Sequence, residues 1–215
     1  MNLGELRDKF RSDTGDTVVP YFWSNEAIAR YLSEAEAEAA IRAKLIHDSE
    51  DLDVVAGESA IELPESLFDI QYAELRASDG NTYVITGATR RDLDTAKPGW
   101  RTTTARPEYY VHDDKRLILS ALPDANYTLY IEFYRTPTEP MEEDEDEPEI
   151  HSIHHDGLLD WAFKLAYSVP DADTFNPGKA KDAEEAFERM FGRRPDADIR
   201  RRQNANRPHR NRIHL

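Results

Sequence analysis

The chain has no cysteine in its 215 residues. Disulfide frameworks, thiolate metal sites and thiol nucleophiles are therefore excluded. Glycine is also scarce, with nine residues, too few and too scattered to build a phosphate-cradling loop. The Walker loop, the G-x-G-x-x-G turn and the G-x-S-x-G elbow are all missing. No apolar run approaches the ~20 residues of a bilayer-spanning helix. The opening MNLGELRDKFRSD contains acids and no apolar stretch, unlike a secretory signal, so a soluble chain made in a cytoplasm is expected. Hydrophobic residues make up 39% and charged residues 33%, with a mean hydropathy of −0.75. That balance suits a body with much surface for its core, or one that completes its burial in an oligomer.

Charge is what the chain has in excess, and it is unevenly placed. The net charge is −16. Residues 193–215 hold eight arginines, no lysine and two aspartates, about +6, so residues 1–192 hold about −22. An acidic body repels nucleic acid; only the terminal arm could meet phosphate. Blocks of one sign at a terminus are commonly interaction tails, and arginine suits planar capture of carboxylates, phosphates or carbonyls. Arg200, Arg201, Arg202, Arg207, Arg210 and Arg212 are interspersed with Ile199, Ile213 and Leu215. Aliphatic pins among arginines favour docking on a protein surface over a purely electrostatic grip on DNA.

The pattern along the chain predicts an α+β protein: a four-helix bundle with an inserted small antiparallel β module and an extended C-terminal arm. The predicted divisions are 1–52 (helices), 53–140 (β module), 141–150 (acidic linker), 151–192 (helices) and 193–215 (arm). Leu3, Leu6 and Phe10 form one helical stripe. Ser24 reads as an N-cap for a long helix reaching about His47. Between Asp53 and Arg135, β-branched and aromatic runs alternate with turn signals, giving five or six strands. Tyr127–Tyr134 carries the strongest alternation. Seven acids in residues 142–149 read as a solvated spacer. Asn176 with Pro177 starts the last helix, and Gly192 ends it.

Candidate chemistry is thin. His151, His154 and His155 offer an i, i+4 spacing that could hold zinc, but no second ligand set accompanies them, so neither a metal nor a cofactor is expected and no catalytic residue is assigned. Tyr21-Phe22-Trp23 reads as an aromatic staple before the Ser24 cap, or as a ligand platform. Lys97-Pro98-Gly99-Trp100-Arg101 reads as a turn presenting Trp100 and Arg101, either to a neighbouring subunit or to local core packing.

Several segments carry a resemblance. NLGELRDKFRSDTGDTVVPYFWSNEAIARYLSEAEAEAAIRAKLI, PGWR at 98–101, RPEYYVHDDKRLIL, LYIEFYRTPTEP and PEIHSIHHDGLLDWAFKLAYSVPDADTFNPGKAKDAEEAFERMFGRRPDADIRRR together resemble head-to-tail adaptor proteins of tailed bacteriophages, particularly the podophage type. The likeness spans nearly the whole chain and carries no catalytic signature. It implies a non-enzymatic virion protein at the head–tail junction, made in the host bacterial cytoplasm. It further implies a ring, usually of twelve copies, beneath the portal protein. Such a ring extends the DNA channel and carries the tail or nozzle, with the arm from about Pro195 to Leu215 reaching along the portal. Two other readings follow from the residues alone: a nucleic-acid-binding regulator acting through the arm, and a small metal-dependent hydrolase using the histidines near 151–155.

Overall fold

A computed structural model describes residues 1–113, 115–170 and 173–194. Among them the chain forms five α-helices and eight strands in two four-stranded sheets, a mixed α+β fold. It divides into two compact units, one from residues 1–46 with 135–194, the other from residues 47–134.

The helical unit draws on both ends of the chain. Helix α1 (Leu3–Thr14) starts at a capping box, with Asn2 and Glu5 each accepting the other's main-chain N–H. It ends at Gly15, whose φ of +77° is a left-handed cap. Helix α2 (Asn25–Ala43) starts at Ser24, whose hydroxyl accepts the Ala27 N–H at 3.2 Å. Helices α4 (His155–Ser168) and α5 (Pro177–Phe191) follow, the second capped by Asn176 with proline in its first turn. Leu3, Leu6, Phe10, Ile28, Leu32, Leu158, Trp161 and Phe187 fill one apolar core. Gly157 admits α5 closely: a Cβ there would lie 2.2 Å from Met190 Sδ and 2.9 Å from the Phe191 ring.

The expected four-helix bundle does not stand as the fold class. Helix α1 packs on α2 and α4, while α5 packs chiefly on α4. Trp23, Met141 and Ile150, all outside the helices, complete the core. The four amphipathic stripes were legible, but stripes do not encode which helix neighbours which.

The β unit holds strands β1 (His47–Val54), β2 (Ala60–Glu62), β3 (Leu67–Ala77), β4 (Thr82–Val84), β5 (Thr86–Gly87), β6 (Tyr109–Asp113), β7 (Arg116–Leu119) and β8 (Tyr127–Arg135), with a short helix α3 (Arg90–Ala96) after β5. One sheet runs β1-β8-β3-β4 and the other β2-β7-β6-β5. Leu75, Leu129 and Ile131 from the first meet Leu117 and Leu119 from the second in one apolar core. The module is not wholly antiparallel: β5 pairs with β6 in parallel. The reason lies at Ile85, a buried residue between β4 and β5 where the chain leaves one sheet for the other.

Two further differences have local causes. Helix α2 stops at Ala43, with Lys44 in left-handed conformation at φ +52°, and His47 already begins β1. That strand, His-Asp-Ser-Glu-Asp-Leu-Asp-Val, is exposed along most of its length and has no apolar alternation to announce it. Its pairing with β8 from His47↔Tyr134 to Val54↔Tyr127 imposes the conformation, tertiary context overriding propensity. Helix α3 is seven residues long with only Leu93 buried, too short for a periodic signal.

Candidate interaction surfaces

The loop between α1 and α2 is where the helical unit departs furthest from a generic core. Arg11 and Asp16 form a buried ion pair, Nη1 to Oδ2 at 2.7 Å, with side chains 8% and 1% exposed. Arg11 Nη2 also donates to the Trp23 carbonyl at 3.0 Å and to Asn25 Oδ1 at 2.7 Å. Asp16 accepts the main-chain N–H groups of Phe22 and Trp23. The guanidinium lies 3.7 Å from the centroid of the Tyr21 ring. A buried charge pair survives desolvation only when its remaining valences are filled, and here main-chain groups fill them. The consequence is a loop tied down at both ends.

The aromatic triplet splits across this anchor. Trp23 enters the core, edge-on to Phe10 at 5.5 Å and to Tyr167 at 5.9 Å. Tyr21 and Phe22 stay exposed, as do Val18 and Val19. The tip therefore presents Val18 (75% exposed), Val19 (72%) and Phe22 (63%) to solvent on a fixed base. Exposed aliphatic and aromatic side chains clustered in one place commonly mark contact sites.

The opposite end of α4 carries a second apolar spot. Ile153, in the turn before α4, is 70% exposed and Met190 44%. Met190 lies against Gly157, and Phe191 packs on the His154 ring at 5.8 Å. The three histidines here do not converge. His151 Nδ1 accepts the Ile153 N–H as a cap. His155 is buried, accepting from the N-terminal ammonium through Nδ1 at 2.9 Å and donating through Nε2 to the Ile150 carbonyl at 3.0 Å. Among the described residues no three metal-type side chains cluster.

Residues 141–150 were expected to be a solvated spacer, and most of their acids are exposed, yet the segment is folded onto the N-terminal helix. The carbonyls of Asp144 and Asp146 accept the N–H groups of Gly4 and Leu3, first-turn donors that a helix cannot satisfy itself. Arg7 grips the Asp144 carboxylate with two bonds of 2.7 and 2.9 Å, which holds that carboxyl below its usual range. Met141 and Ile150 are buried at its two ends. Glu36 of α2 accepts the Ile150 N–H at 3.2 Å. Burial pushes the Glu36 carboxyl up to about 7 against the pull of the Ile150 and Glu149 N–H groups. Both main-chain groups of Ile150 are thus held by buried ionisable side chains.

In the β unit, the 97–101 turn places Trp100 inward. It is 3% exposed, packed with Leu93 and Val111, and its indole N–H donates to Asp94 at 2.9 Å. Of the two readings of this turn, core packing holds for the ring: helix α3 supplies the Leu93 and Asp94 that cover it. Arg101 remains exposed, its guanidinium 4.2 Å from the Trp100 ring centroid and bonded to Asp94. On the outer face of the first sheet, Tyr72, Tyr130, Phe68 and Tyr134 lie within 6.4 and 6.5 Å of one another in pairs, with Arg76 over Tyr130.

The model of the SU10 adaptor protein family matches residues 1–212. The chain belongs to that family. No curated protein matches it. Among solved structures, one described as the neck of an empty GTA particle computed with C6 symmetry is 17% identical, covering 91% of this chain and 93% of that one with a TM-score of 0.32. At that score the backbones diverge too far for the likeness to say more about this family member. Its arm residues Arg200, Arg201, Arg202, Arg207, Arg210, Arg212, Ile213 and Leu215 lie outside the described residues. The signals that sequence reasoning missed in this adaptor are the Arg11–Asp16 anchor and the Glu36–Ile150–His155 clasp. Each depends on a charged or ionisable side chain bonding to main-chain groups elsewhere, the Trp23 carbonyl and the Phe22 and Trp23 N–H groups in one and both main-chain groups of Ile150 in the other, which no spacing rule flags.

Proposed function

We propose that this chain is a structural protein of a virion, a ring-forming head-to-tail adaptor of podophage type. Its arm, residues 193–215, docks to the portal protein, while the ring of about twelve copies extends the DNA channel and carries the tail or nozzle. The observation that carries this reading is the family match over residues 1–212, joined to the charge reversal between the body and the arm. Arg200, Arg201, Arg202, Arg207, Arg210 and Arg212 would supply donors to portal carbonyls and carboxylates, with Ile213 and Leu215 as apolar pins. Arg101, exposed beside the buried Trp100, is a second contact point, toward a neighbouring copy. The excess of acid over residues 1–192 suits a channel wall past which packaged double-stranded DNA slides without sticking. Residues 1–46 with 135–194, including the 141–150 segment bonded to α1, and residues 47–134 form the body in that assembly. Synthesis in the host bacterial cytoplasm precedes incorporation.

The test is electron microscopy of the purified chain mixed with purified portal rings. Coaxial rings of adaptor on one face of the portal are expected. Mixtures in which portals remain bare contradict the reading. Salt-dependent binding of the arm to duplex DNA with no affinity for portals would instead favour a nucleic-acid role.

A further inference from the structure

We propose that copies of this chain join head to tail through the helical unit, the Val18–Val19–Phe22 tip of one copy seating on the Ile153–Met190 spot of the next. The pairing presupposes the ring proposed above and supplies its contact. Three observations carry it. First, the tip is built to be presented: the Arg11–Asp16 pair and its main-chain bonds fix both ends of the loop, while the three apolar side chains are 63–75% exposed. A fixed loop loses little conformational freedom on binding.

Second, the two apolar spots sit at opposite ends of one helix. The tip adjoins Trp23, which touches Tyr167 in the last turn of α4. Ile153 precedes the first turn, and Met190 lies against Gly157 in that turn. Fourteen residues separate the ends, about 21 Å of helix. Unlike patches at opposite ends give a heterologous contact, which repeats around a ring, whereas a two-fold pair would bring like patches together.

Third, charge selects these surfaces. Each body holds a large negative excess, so two copies repel wherever acids face acids. Residues 17–25 and residues 150–155 contain no Asp, Glu, Lys or Arg. The tip and Ile153 each lie within one of these uncharged stretches, so the contact centres on uncharged residues, with Asp156 three positions after Ile153 and Glu188 and Arg189 just before Met190 as the charges nearest to that spot in sequence.

The absence of cysteine makes the test clean. Full-length Phe22→Cys and Ile153→Cys chains are mixed and treated with a short bismaleimide, alongside an equal mixture of Ser49→Cys and Ile153→Cys. Ser49 is exposed in the β unit. Cross-linking of Phe22→Cys to Ile153→Cys about tenfold or more faster than the control is expected. Equal rates overturn the proposal. So does a product dominated by Phe22→Cys joined to itself, which would mean a two-fold contact. Loss of the cross-link on truncation after Arg194 also overturns it, since the contact would then depend on the arm rather than on the two patches. If cross-linking fails while the full chain still forms rings on portals, the surface assignment falls and the ring reading stands. If no rings form, both fall.

Discussion

The helical unit and the β unit bury different things. Among the described residues, the buried carboxylate, guanidinium and imidazole side chains are those of Arg11, Asp16, Glu36, Glu38 and His155, and all five lie in the helical unit. The β unit buries the hydroxyl-bearing Ser120 and Tyr110 but no such charged group among the described residues, and ion pairs such as Arg116–Glu62 and Lys115–Glu65 are exposed. The helical unit must hold together segments from both ends of the chain, and it does so with directional polar contacts that specify where loops and the 141–150 segment lie. The β unit is one continuous stretch whose hydrogen-bond ladders already fix register. The price of specificity in the helical unit is sensitivity to pH and to single substitutions.

That contrast can be broken most forcefully at the α1–α2 loop. Asp16→Ala leaves the Arg11 guanidinium buried without its carboxylate, and should destabilise the helical unit by about 3–5 kcal/mol. Chemical denaturation checks this, and a loss below 1 kcal/mol would show the pair to be ornamental. Trp23→Ala, which empties the space between Phe10 and Tyr167, should cost ~3–5 kcal/mol as well; an unchanged melting temperature would contradict it. Gly157→Ala forces Met190 and Phe191 to move and should cost roughly 1–3 kcal/mol, read as a lower melting temperature.

The pH response sharpens the same comparison. The Glu36 carboxyl titrates near 7 in the folded chain, above its ordinary 4.5, so folding favours its protonated form. Its contribution to stability is full below about 4.5, declines as pH rises toward 7, and is lost above that value. Glu36→Gln keeps an acceptor for the Ile150 N–H and removes the titration. The variant should therefore gain in melting temperature over the parent as pH is raised from 5 to 8. A difference that does not change with pH would contradict the assignment. The smallest effect belongs to the β unit: Arg116→Ala removes an exposed pair with Glu62 and should change stability by less than about 1 kcal/mol, the counterpoint to Asp16→Ala.

The difference between the units also explains what the sequence disclosed. Caps are local chemistry, so Ser24, Asn176 with Pro177, and the helix stripes around Leu3, Leu6 and Phe10 were readable directly. Alternation in Tyr127–Tyr134 announced β8. Strand β1 was hidden because its partner, not its composition, makes it a strand. Trp100 stayed open between a subunit contact and core packing because the helix that covers it has one buried residue, Leu93. In β3 the buried positions run Leu67, Ile70, Ala73 and Leu75, a change of phase that leaves Phe68 and Tyr72 only half-buried, whereas strict alternation would have put both on one inner face with Ile70. The 141–150 acids looked solvated because composition reports exposure, and exposure does not exclude main-chain bonds to α1. The arm's charge reversal is plain in the sequence, whereas the exposed loop tip required the Arg11–Asp16 contact to be seen in space.

The most direct test of the adaptor reading separates body from arm. A chain ending at Arg194 should melt at the same temperature as the full chain, because residues 195–215 are arginine-rich and offer only Ile199, Ile213 and Leu215 as large apolar side chains, and it should no longer co-sediment with portal rings that the full chain binds. Undiminished co-sedimentation of the truncated chain would contradict the account.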